Sequence, residues 1–333
     1  MFTTIPTTKT IHIKTTKTTN MVQDTSTNVM LPILLTFLSF TSSALSSFVP
    51  RDAYVSAVYS SAAYCPPYMV DKFSMKNSDC KNVTKDFQVT KILNTEGTKD
   101  NDFAFIGVDQ SREWIIGSFK GTNASLADLI TDLKGFEFMK NGCTSPDGSV
   151  VFPGRVHDGF CDYYKGFSNN SFAQSFIALS DAHPTYRLVL TGHSLGAAAA
   201  VLMAYDITSR SPDKNISVFG YGQPRIGNYE FSVGVSAKVH DLTRVVHGGD
   251  IVAHLPVCCS ILESKCSTSD SCPYHISNEY WYDNKMTDIN DFKTCNGGED
   301  NSCSKVFDVS VDDHLYYYNW EVGDHCCYDE PKP

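Results

Sequence analysis

Short apolar runs alternate along most of the chain with segments that have the 3.6-residue spacing of an amphipathic helix. The runs Phe103–Val108 and Trp114–Phe119 predict two strands, and the polar segment between them predicts the connecting turn. A helical pattern then covers residues 158–181. Further on, the pattern predicts a strand, a helix, a strand, a helix and two strands at residues 186–191, 197–209, 216–221, 231–238, 241–246 and 279–282.

This alternation of strands and helices determines the expected fold class. A strand, a helix and a second strand in succession form a parallel pair joined by a right-handed crossover. We therefore expect an α/β fold with a mainly parallel central sheet and helices on both faces. In such folds, ligands bind at the carboxyl ends of the strands.

The N-terminal segment has a different pattern. The apolar run Val29–Phe40 follows a Thr-rich leader and precedes several small residues, which is typical of a secretory signal peptide. A membrane-spanning helix needs about 20 apolar residues, and this run has only about a dozen. We therefore expect a signal peptide over residues 1–45, with Met21 or Met30 as alternative starts, and a secreted protein. The alternative is an ectodomain held by an uncleaved signal anchor.

Composition and charge narrow the classes of function. The 333 residues are 42% hydrophobic and 19% charged, and residues 46–333 contain no linker, so we expect a single domain there. The net charge of −10 opposes binding to a polyanion, so no nucleic-acid partner is expected, and nothing indicates an obligate protein partner. Four sequons agree with secretion and mark expected glycosylation sites: Asn82, Asn123, Asn169 and Asn215.

A candidate nucleophile lies between a predicted strand and a predicted helix. The segment Gly192-His-Ser-Leu-Gly196 matches the G-x-S-x-G pattern, in which a sharp turn presents a serine at the edge of the sheet. Glycines flank the serine because side chains there would collide with the strand and the helix. Ser194 is therefore the predicted nucleophile. An ordinary Gly-Ser turn is the alternative.

A serine nucleophile needs a base to accept its proton and a carboxylate to orient the base, in the chain order serine, acid, histidine for this fold. Asp250 is the predicted acid because it follows a predicted strand and two glycines, whereas Asp241 lies at the opposite end of that strand. The candidate bases are His254, His275, His314 and His325. His314 follows the last predicted strand and is the best candidate.

Two backbone N–H groups are expected to stabilise the negative charge that develops on the substrate. One belongs to Leu195, directly after the nucleophile. The other is expected in the loop Phe119-Lys-Gly-Thr122, where Gly121 lets the backbone come close and Thr122 offers an N–H and a hydroxyl. The alternative is a plain connection between strand and helix.

Together these residues resemble the class 3, or fungal-type, lipase family of α/β-hydrolases. Seven segments occur in the order typical of that family: Phe119–Thr122, Val156–Phe160, Thr191–Gly196, Gly222–Asn228, Asp250–Pro256, Glu279–Trp281 and Asp313–Leu315. The resemblance covers nearly all of the chain after the signal peptide. It implies an α/β-hydrolase fold and the same nucleophile, acid, base and oxyanion-hole residues, namely Ser194, Asp250, His314, Thr122 and Leu195.

In that family a short amphipathic lid follows the oxyanion loop and covers an apolar pocket. Four apolar residues here have helical spacing and form the predicted lid: Leu126, Leu129, Ile130 and Leu133. By similarity, Asp132 would accept a hydrogen bond from Thr122. A surface helix packed permanently on the core is the alternative. Leu129 replaces a tryptophan often found in such lids, and glycosylation of Asn123 would make the lid polar, as in feruloyl esterases.

Twelve cysteines in a secreted chain favour disulfides over metal sites, and we expect no metal and no cofactor. An insertion at residues 257–273 carries four cysteines that fungal relatives largely lack. With His275 they resemble a zinc knuckle, but secretion favours disulfides. The family resemblance implies that Cys295 pairs with Cys303, and that Cys65 pairs with Cys326 or Cys327.

The sequence thus predicts a secreted serine hydrolase of carboxylic esters. Most specifically, it predicts a triacylglycerol lipase that acts on acylglycerols through an acyl-enzyme and makes transient contact with a lipid interface. The alternatives are a feruloyl-esterase-like or short-chain carboxylesterase with a polar lid, and a catalytically silent extracellular binding protein.

Overall fold

The computed structural model describes residues 48–94, 102–122, 130–131, 139–169, 171–259, 266–276, 278–304 and 309–329. All of them belong to one compact unit, Ala44–Pro333. Several sequence predictions lie outside the described residues: the signal peptide at residues 1–45, the glycosylation site Asn123, and Leu126, Leu129, Asp132 and Leu133 of the lid. Ile130 is described, and it is buried.

The elements alternate between strands and helices over most of the described chain. The strands are β1 (Phe87–Asn94), β2 (Phe103–Asp109), β3 (Trp114–Phe119), β4 (Met139–Asn141), β5 (Arg155–His157), β6 (Arg187–His193), β7 (Ile216–Tyr221), β8 (Gly227–Asn228), β9 (Asp241–His247), β10 (Pro273–Tyr274), β11 (Glu279–Tyr282), β12 (Lys293–Thr294), β13 (Tyr316–Tyr317) and β14 (Trp320–Glu321). The helices are α1 (Pro50–Ala62), α2 (Pro67–Asp71), α3 (Ser78–Val83), α4 (Asp158–Asn169), α5 (Phe172–Ala182), α6 (Leu195–Arg210), α7 (Tyr229–Ser236) and α8 (Val311–Leu315). Within the described ranges, no helix combines the length and apolar character needed to cross a bilayer.

The central sheet has eight strands in the order β1-β2-β3-β6-β7-β9-β11-β12. Neighbouring strands from β3 to β11 in this order are parallel, whereas β1, β2 and β12 pair in antiparallel fashion at the edges. The expected α/β class with a mainly parallel sheet is therefore confirmed. A smaller sheet has the order β10-β8-β5-β4, and its strand β10 begins at the end of the Cys-rich insertion.

Two apolar layers bury the two faces of the central sheet. Leu188 and Leu190 of β6 pack in the same cluster as the apolar residues of α4, α5 and α6. Val189, which points to the opposite face, packs in a second cluster with residues of α1. Parallel strands covered on both faces have near-continuous apolar sequences, and this accounts for the unbroken runs in the sequence. The prediction of helices on both faces is confirmed.

One predicted element differs in the structure. The helical pattern over residues 158–181 forms two helices, α4 and α5, instead of one. Ser171 has a left-handed backbone conformation with φ 65°, which a right-handed helix cannot include. The sequence there is Asn169-Asn-Ser171, and short polar side chains compete for backbone hydrogen bonds. Because the apolar spacing is helical on both sides of Ser171, it did not indicate that the helix ends there.

Six disulfides join all twelve cysteines. The pairing of Cys295 with Cys303 is confirmed, and of the two partners expected for Cys65, the structure has Cys327. The other pairs are Cys80–Cys326, Cys143–Cys161, Cys258–Cys266 and Cys259–Cys272. The insertion at residues 257–273 therefore contains two disulfides, as expected in preference to a zinc knuckle.

Two of these disulfides connect the same two regions of the chain, and we predict that their contributions to stability are not additive. Cys65–Cys327 spans 262 residues and Cys80–Cys326 spans 246. While one is intact, the other closes a loop of only about 15 residues, which is worth about 3 kcal/mol. When both are removed, a loop of more than 100 residues also opens, worth about 5 kcal/mol.

The four-alanine variant should therefore lose about 2 kcal/mol more than the sum of the two double-alanine variants. Urea unfolding of the three proteins without reductant measures these losses. As a control, removal of Cys295–Cys303, which spans 8 residues, should add its loss to that of either long-range disulfide. Equal values for the sum and the combined variant would contradict the prediction.

Candidate active site

The backbone makes a sharp turn at Ser194, between the end of β6 and the first residue of α6. Ser194 has φ 59° and ψ −127°, and its N–H donates to the carbonyl of Tyr221 at 2.9 Å. A Cβ on Gly192 would lie 2.3 Å from the carbonyl of Gly196, and a Cβ on Gly196 would lie 2.2 Å from the carbonyl of Phe119. Both glycines are therefore required by close approach of backbone segments.

The side chain of Ser194 is buried, with 2% of its surface exposed. Among the described residues, none forms a hydrogen bond with its Oγ. The hydroxyl is therefore not committed to a structural hydrogen bond. It lies at the N-terminus of α6, where backbone N–H groups lack partners within the helix and the helix dipole favours negative charge.

The predicted base and acid form a direct hydrogen bond. Nδ1 of His314 lies 2.8 Å from Oδ1 and 3.0 Å from Oδ2 of Asp250, and both residues are buried. Their two segments run side by side: the N–H of Ser310 donates to the carbonyl of Gly249, and the N–H of Ile251 donates to the carbonyl of Ser310. These bonds align the loop after β9 with the start of α8.

Additional donors surround the carboxylate of Asp250. The hydroxyl of Tyr317 donates to Oδ2 at 2.6 Å, and the N–H of Val252 donates to Oδ1 at 2.8 Å. Burial by itself would raise the pKa of Asp250, but the charge of His314 and the hydrogen bonds from His314 and Tyr317 outweigh it and lower the pKa to about 2. Asp250 is therefore ionised at neutral pH and fixes the ring of His314 through Nδ1.

Residues next to Ser194 contact the ring of His314. His193 stacks on it, with 4.5 Å between the ring centroids and 29° between the planes. Gly222 follows Tyr221, whose carbonyl binds the N–H of Ser194, and a Cβ on Gly222 would lie 2.8 Å from Nδ1 of His314. These contacts place the ring of His314 and the carboxylate of Asp250 next to the turn that carries Ser194, at the carboxyl ends of β6, β7 and β9.

The remaining candidates have structural contacts instead. Nδ1 of His254 lies 2.7 Å from the backbone carbonyl of Asp250, and Nε2 of His275 lies 2.7 Å from the carbonyl of Ala253. His325 stacks on Trp320 at 4.2 Å between ring centroids. Asp241 accepts hydrogen bonds from Arg187 and Ser217 at the opposite end of β9, as the sequence predicted.

The predicted oxyanion loop lies against the first turn of α6. The carbonyls of Phe119 and Lys120 would lie 2.2 and 2.8 Å from a Cβ on Gly196, and the hydroxyl of Tyr163 donates to the Lys120 carbonyl at 2.6 Å. Thr122 lies two residues after Lys120. Leu195 is the first residue of α6, so its N–H belongs to the helix N–H groups without an intrahelical acceptor.

The three described sequons have accessible asparagines. Asn82, Asn169 and Asn215 are all exposed, which is a requirement for attachment of a glycan. Their glycosylation therefore remains an expectation that the structure permits.

Sequence reasoning missed two residues of the site, Tyr317 and His193. Tyr317 is three residues after the predicted base, so a search for donors near His314 would have included it. His193 is the variable position of the G-x-S-x-G pattern, and its contact with His314 joins residues 121 positions apart. No local sequence signal indicates such a contact.

The pKa of Asp250 predicts how stability depends on pH. The pKa falls from 3.8 to about 2 on folding, so ionised Asp250 stabilises the fold above pH 4, and this contribution is lost as the pH falls through 2. The contribution is about 2 kcal/mol. The difference in unfolding free energy between wild type and Asp250→Asn should therefore be about that much larger at pH 6 than at pH 2 in urea titrations. A difference that does not change with pH would contradict this.

Comparisons with known proteins agree with this geometry. The family model for class 3 lipases matches residues 116–260, which include Ser194 and Asp250. A lipase of Rhizopus niveus is 40% identical over 141 residues, which are 41% of this chain and 33% of that protein. A secreted mono- and diacylglycerol lipase of Fusarium solani is 28% identical over 245 residues, which are 72% of this chain and 66% of that protein. The chain thus spans about a third of the Rhizopus protein.

The fold is also similar to solved structures. The structure of Rhizomucor miehei triacylglyceride lipase has a TM-score of 0.66 and 26% sequence identity, and the similarity covers 83% of this chain and 96% of that chain. The family match and the similar fold support the same assignment as the sequence segments. Residues 116–260 of the chain match the class 3 lipase family, and the fold is similar to that of a solved fungal lipase.

Proposed function

We propose that the chain is a serine hydrolase of carboxylic esters, and specifically a triacylglycerol lipase. The observation that carries the proposal is the buried pair His314–Asp250, which lies beside a serine on a sharp turn and at a helix N-terminus. A serine, an imidazole and a carboxylate bonded to that imidazole are the parts of a catalytic triad. The relatives named lipases support the substrate class.

In the proposed mechanism, Ser194 attacks the carbonyl carbon of the ester. Nε2 of His314 accepts the proton from Oγ of Ser194, and Asp250 stabilises the resulting imidazolium. The tetrahedral intermediate then collapses, the bond to the alcohol oxygen breaks, and His314 returns the proton to the departing alcohol. A water molecule attacks the acyl-enzyme in the same way, which releases the carboxylic acid and regenerates Ser194.

The negative charge of the tetrahedral intermediates would be stabilised at the start of α6. We assign this role to the N–H of Leu195 and to the N–H and hydroxyl of Thr122. The contact between the carbonyl of Phe119 and Gly196 supports this assignment, since it holds the two segments together. Loss of one such donor typically lowers turnover by about 10²–10³-fold.

We also propose that the protein is secreted and meets its substrate at a lipid surface. The N-terminal pattern, the four sequons and the twelve cysteines, all paired, support export, and the Fusarium relative is named as a secreted enzyme. The expected lid stripe would provide the transient contact with lipid. Two features favour a second candidate, an esterase for soluble or wall-linked esters. Leu129 stands where such lids often have a tryptophan, and Asn123 begins a sequon.

The role of Ser194 can be tested by substitution. Ser194→Ala should lower kcat for ester hydrolysis by about 10⁴-fold or more, because the nucleophile is lost, and it should abolish labelling by a fluorophosphonate. Ser149→Ala, which changes an exposed serine, is the matched control. It should retain both ester hydrolysis and fluorophosphonate labelling. A Ser194→Ala protein that still hydrolyses esters would overturn the proposal. A wild-type protein that is neither labelled nor active would favour the alternative of a catalytically silent extracellular binding protein.

The substrate class can be tested by comparing rates on emulsified long-chain triacylglycerol and on soluble short-chain esters. A lipase should show a rate that rises sharply once the ester exceeds its solubility, because the lid stripe then binds the interface. A rate that follows the dissolved concentration alone would favour the esterase. Enzymatically deglycosylated protein is the control for an effect of a glycan at Asn123.

A further inference from the structure

A second histidine and a tyrosine lie next to the proposed catalytic residues, and the mechanism above does not use them. His193 is buried, and its ring has a hydrogen-bond partner at each nitrogen. Nδ1 lies 2.8 Å from the hydroxyl of Tyr64, and Nε2 lies 2.8 Å from the backbone carbonyl of His314. The ring therefore connects the residue before the nucleophile to the residue that serves as base.

The chemistry of the partners fixes the direction of each hydrogen bond. A backbone carbonyl only accepts, so Nε2 of His193 carries the hydrogen and donates to His314. Burial and the nearby charge of His314 lower the pKa of His193 to about 3, so the ring is neutral and Nδ1 is an acceptor. The hydroxyl of Tyr64 must then donate to Nδ1.

Tyr64 extends the connection to the oxyanion loop. Since its hydroxyl hydrogen is used by His193, its oxygen accepts the backbone N–H of Gly121, the residue before Thr122. The contact is close, and a Cβ on Gly121 would overlap the hydroxyl oxygen and lie 2.7 Å from the carbonyl of His193. Gly121 is therefore required here by the approach of the His193 carbonyl and of Tyr64.

We propose that Tyr64 and His193 are positioning residues. Through a continuous chain of hydrogen bonds, they fix the oxyanion loop, the nucleophile turn and the backbone of His314 in position relative to one another. This inference rests on the proposed esterase function. The chain runs from the N–H of Gly121 to Tyr64, from Tyr64 to His193, and from His193 to the carbonyl of His314. Neither residue takes part in the proposed proton transfers, so both act through the groups that do.

The arrangement also explains why a neutral ring is suited to this position. His193 stacks on His314, which gains a proton during the proposed reaction. A positive charge at His193 would oppose that step by repulsion, whereas a neutral ring does not. The hydrogen bond to the backbone carbonyl fixes the main chain of His314, and the hydrogen bond to Asp250 fixes its side chain.

Tyr64→Phe tests the proposal because it removes one oxygen and leaves the ring. With a soluble p-nitrophenyl ester, kcat should fall about tenfold while KM changes by less than twofold, because loss of one aligned hydrogen bond misplaces catalytic groups without altering the ester-binding surface. The rate of fluorophosphonate labelling should fall by the same factor. Tyr68→Phe, on a ring that is 70% exposed, is the matched control and should leave all three values unchanged.

Two substitutions of His193 separate hydrogen bonding from ring stacking. His193→Gln keeps an N–H donor and an oxygen acceptor but loses the ring, whereas His193→Phe keeps a ring and loses both hydrogen bonds. The Gln variant should retain several times more of the wild-type kcat than the Phe variant, at comparable thermal unfolding temperatures. Equal losses in the two variants, or a greater loss in Gln, would overturn the role of the hydrogen bonds.

The outcomes also distinguish this inference from the function on which it rests. If wild type hydrolyses the ester and Tyr64→Phe has the same kcat and labelling rate, the positioning role is wrong and the esterase function stands. If wild type neither hydrolyses esters nor reacts with the fluorophosphonate, both proposals are wrong. If Tyr64→Phe changes only the unfolding temperature, the contact is structural and the positioning role is wrong.

Discussion

Between β6 and α6 the backbone reverses within one residue, and it can do so only because Gly192 and Gly196 carry no side chains. The carbonyls of Gly196 and Phe119 occupy the space that a Cβ on either glycine would need. The same close packing brings the loop after β3 against the start of α6 and places Ser194 beside the ends of β7 and β9. Every proposed catalytic group is positioned relative to this turn, so an added methyl group here would displace several loops together.

Much of the fold follows from local sequence patterns. The runs Phe103–Val108 and Trp114–Phe119 are mostly apolar strands whose residues are all buried, because both faces of the sheet are covered. The break near Ser171 was missed because the apolar spacing resumes in α5 without a change of period. The spacing of apolar residues indicates which side of a helix is buried. It does not show whether the helix is continuous between two such segments.

In the proposed site, some residues can be identified from local sequence, and others are identified only by contacts between distant parts of the chain. Ser194 and Asp250 could be chosen from the sequence because each lies within a few residues of the end of a strand, and strand ends meet at one edge of the sheet. The chain order left four histidines after the acid, and His314 was chosen because it follows the last predicted strand. Tyr64 was not found because its contact with His193 joins positions 129 residues apart, and no spacing rule connects them. Sequence spacing also does not show which of the twelve cysteines pair, and only the family resemblance reduced the number of possible pairings.

The cross-links have a practical consequence for obtaining this protein. Cys326 and Cys327 lie shortly after the proposed base. Cys327 is bonded to Cys65, just after α1, and Cys326 is bonded to Cys80 in α3. Tyr64 lies next to Cys65, so the tail of the chain and the hydrogen-bonded site share one anchor. In a reducing cytosol these bonds do not persist. Recombinant protein should therefore be made in an oxidising compartment, such as a bacterial periplasm or a eukaryotic secretory pathway.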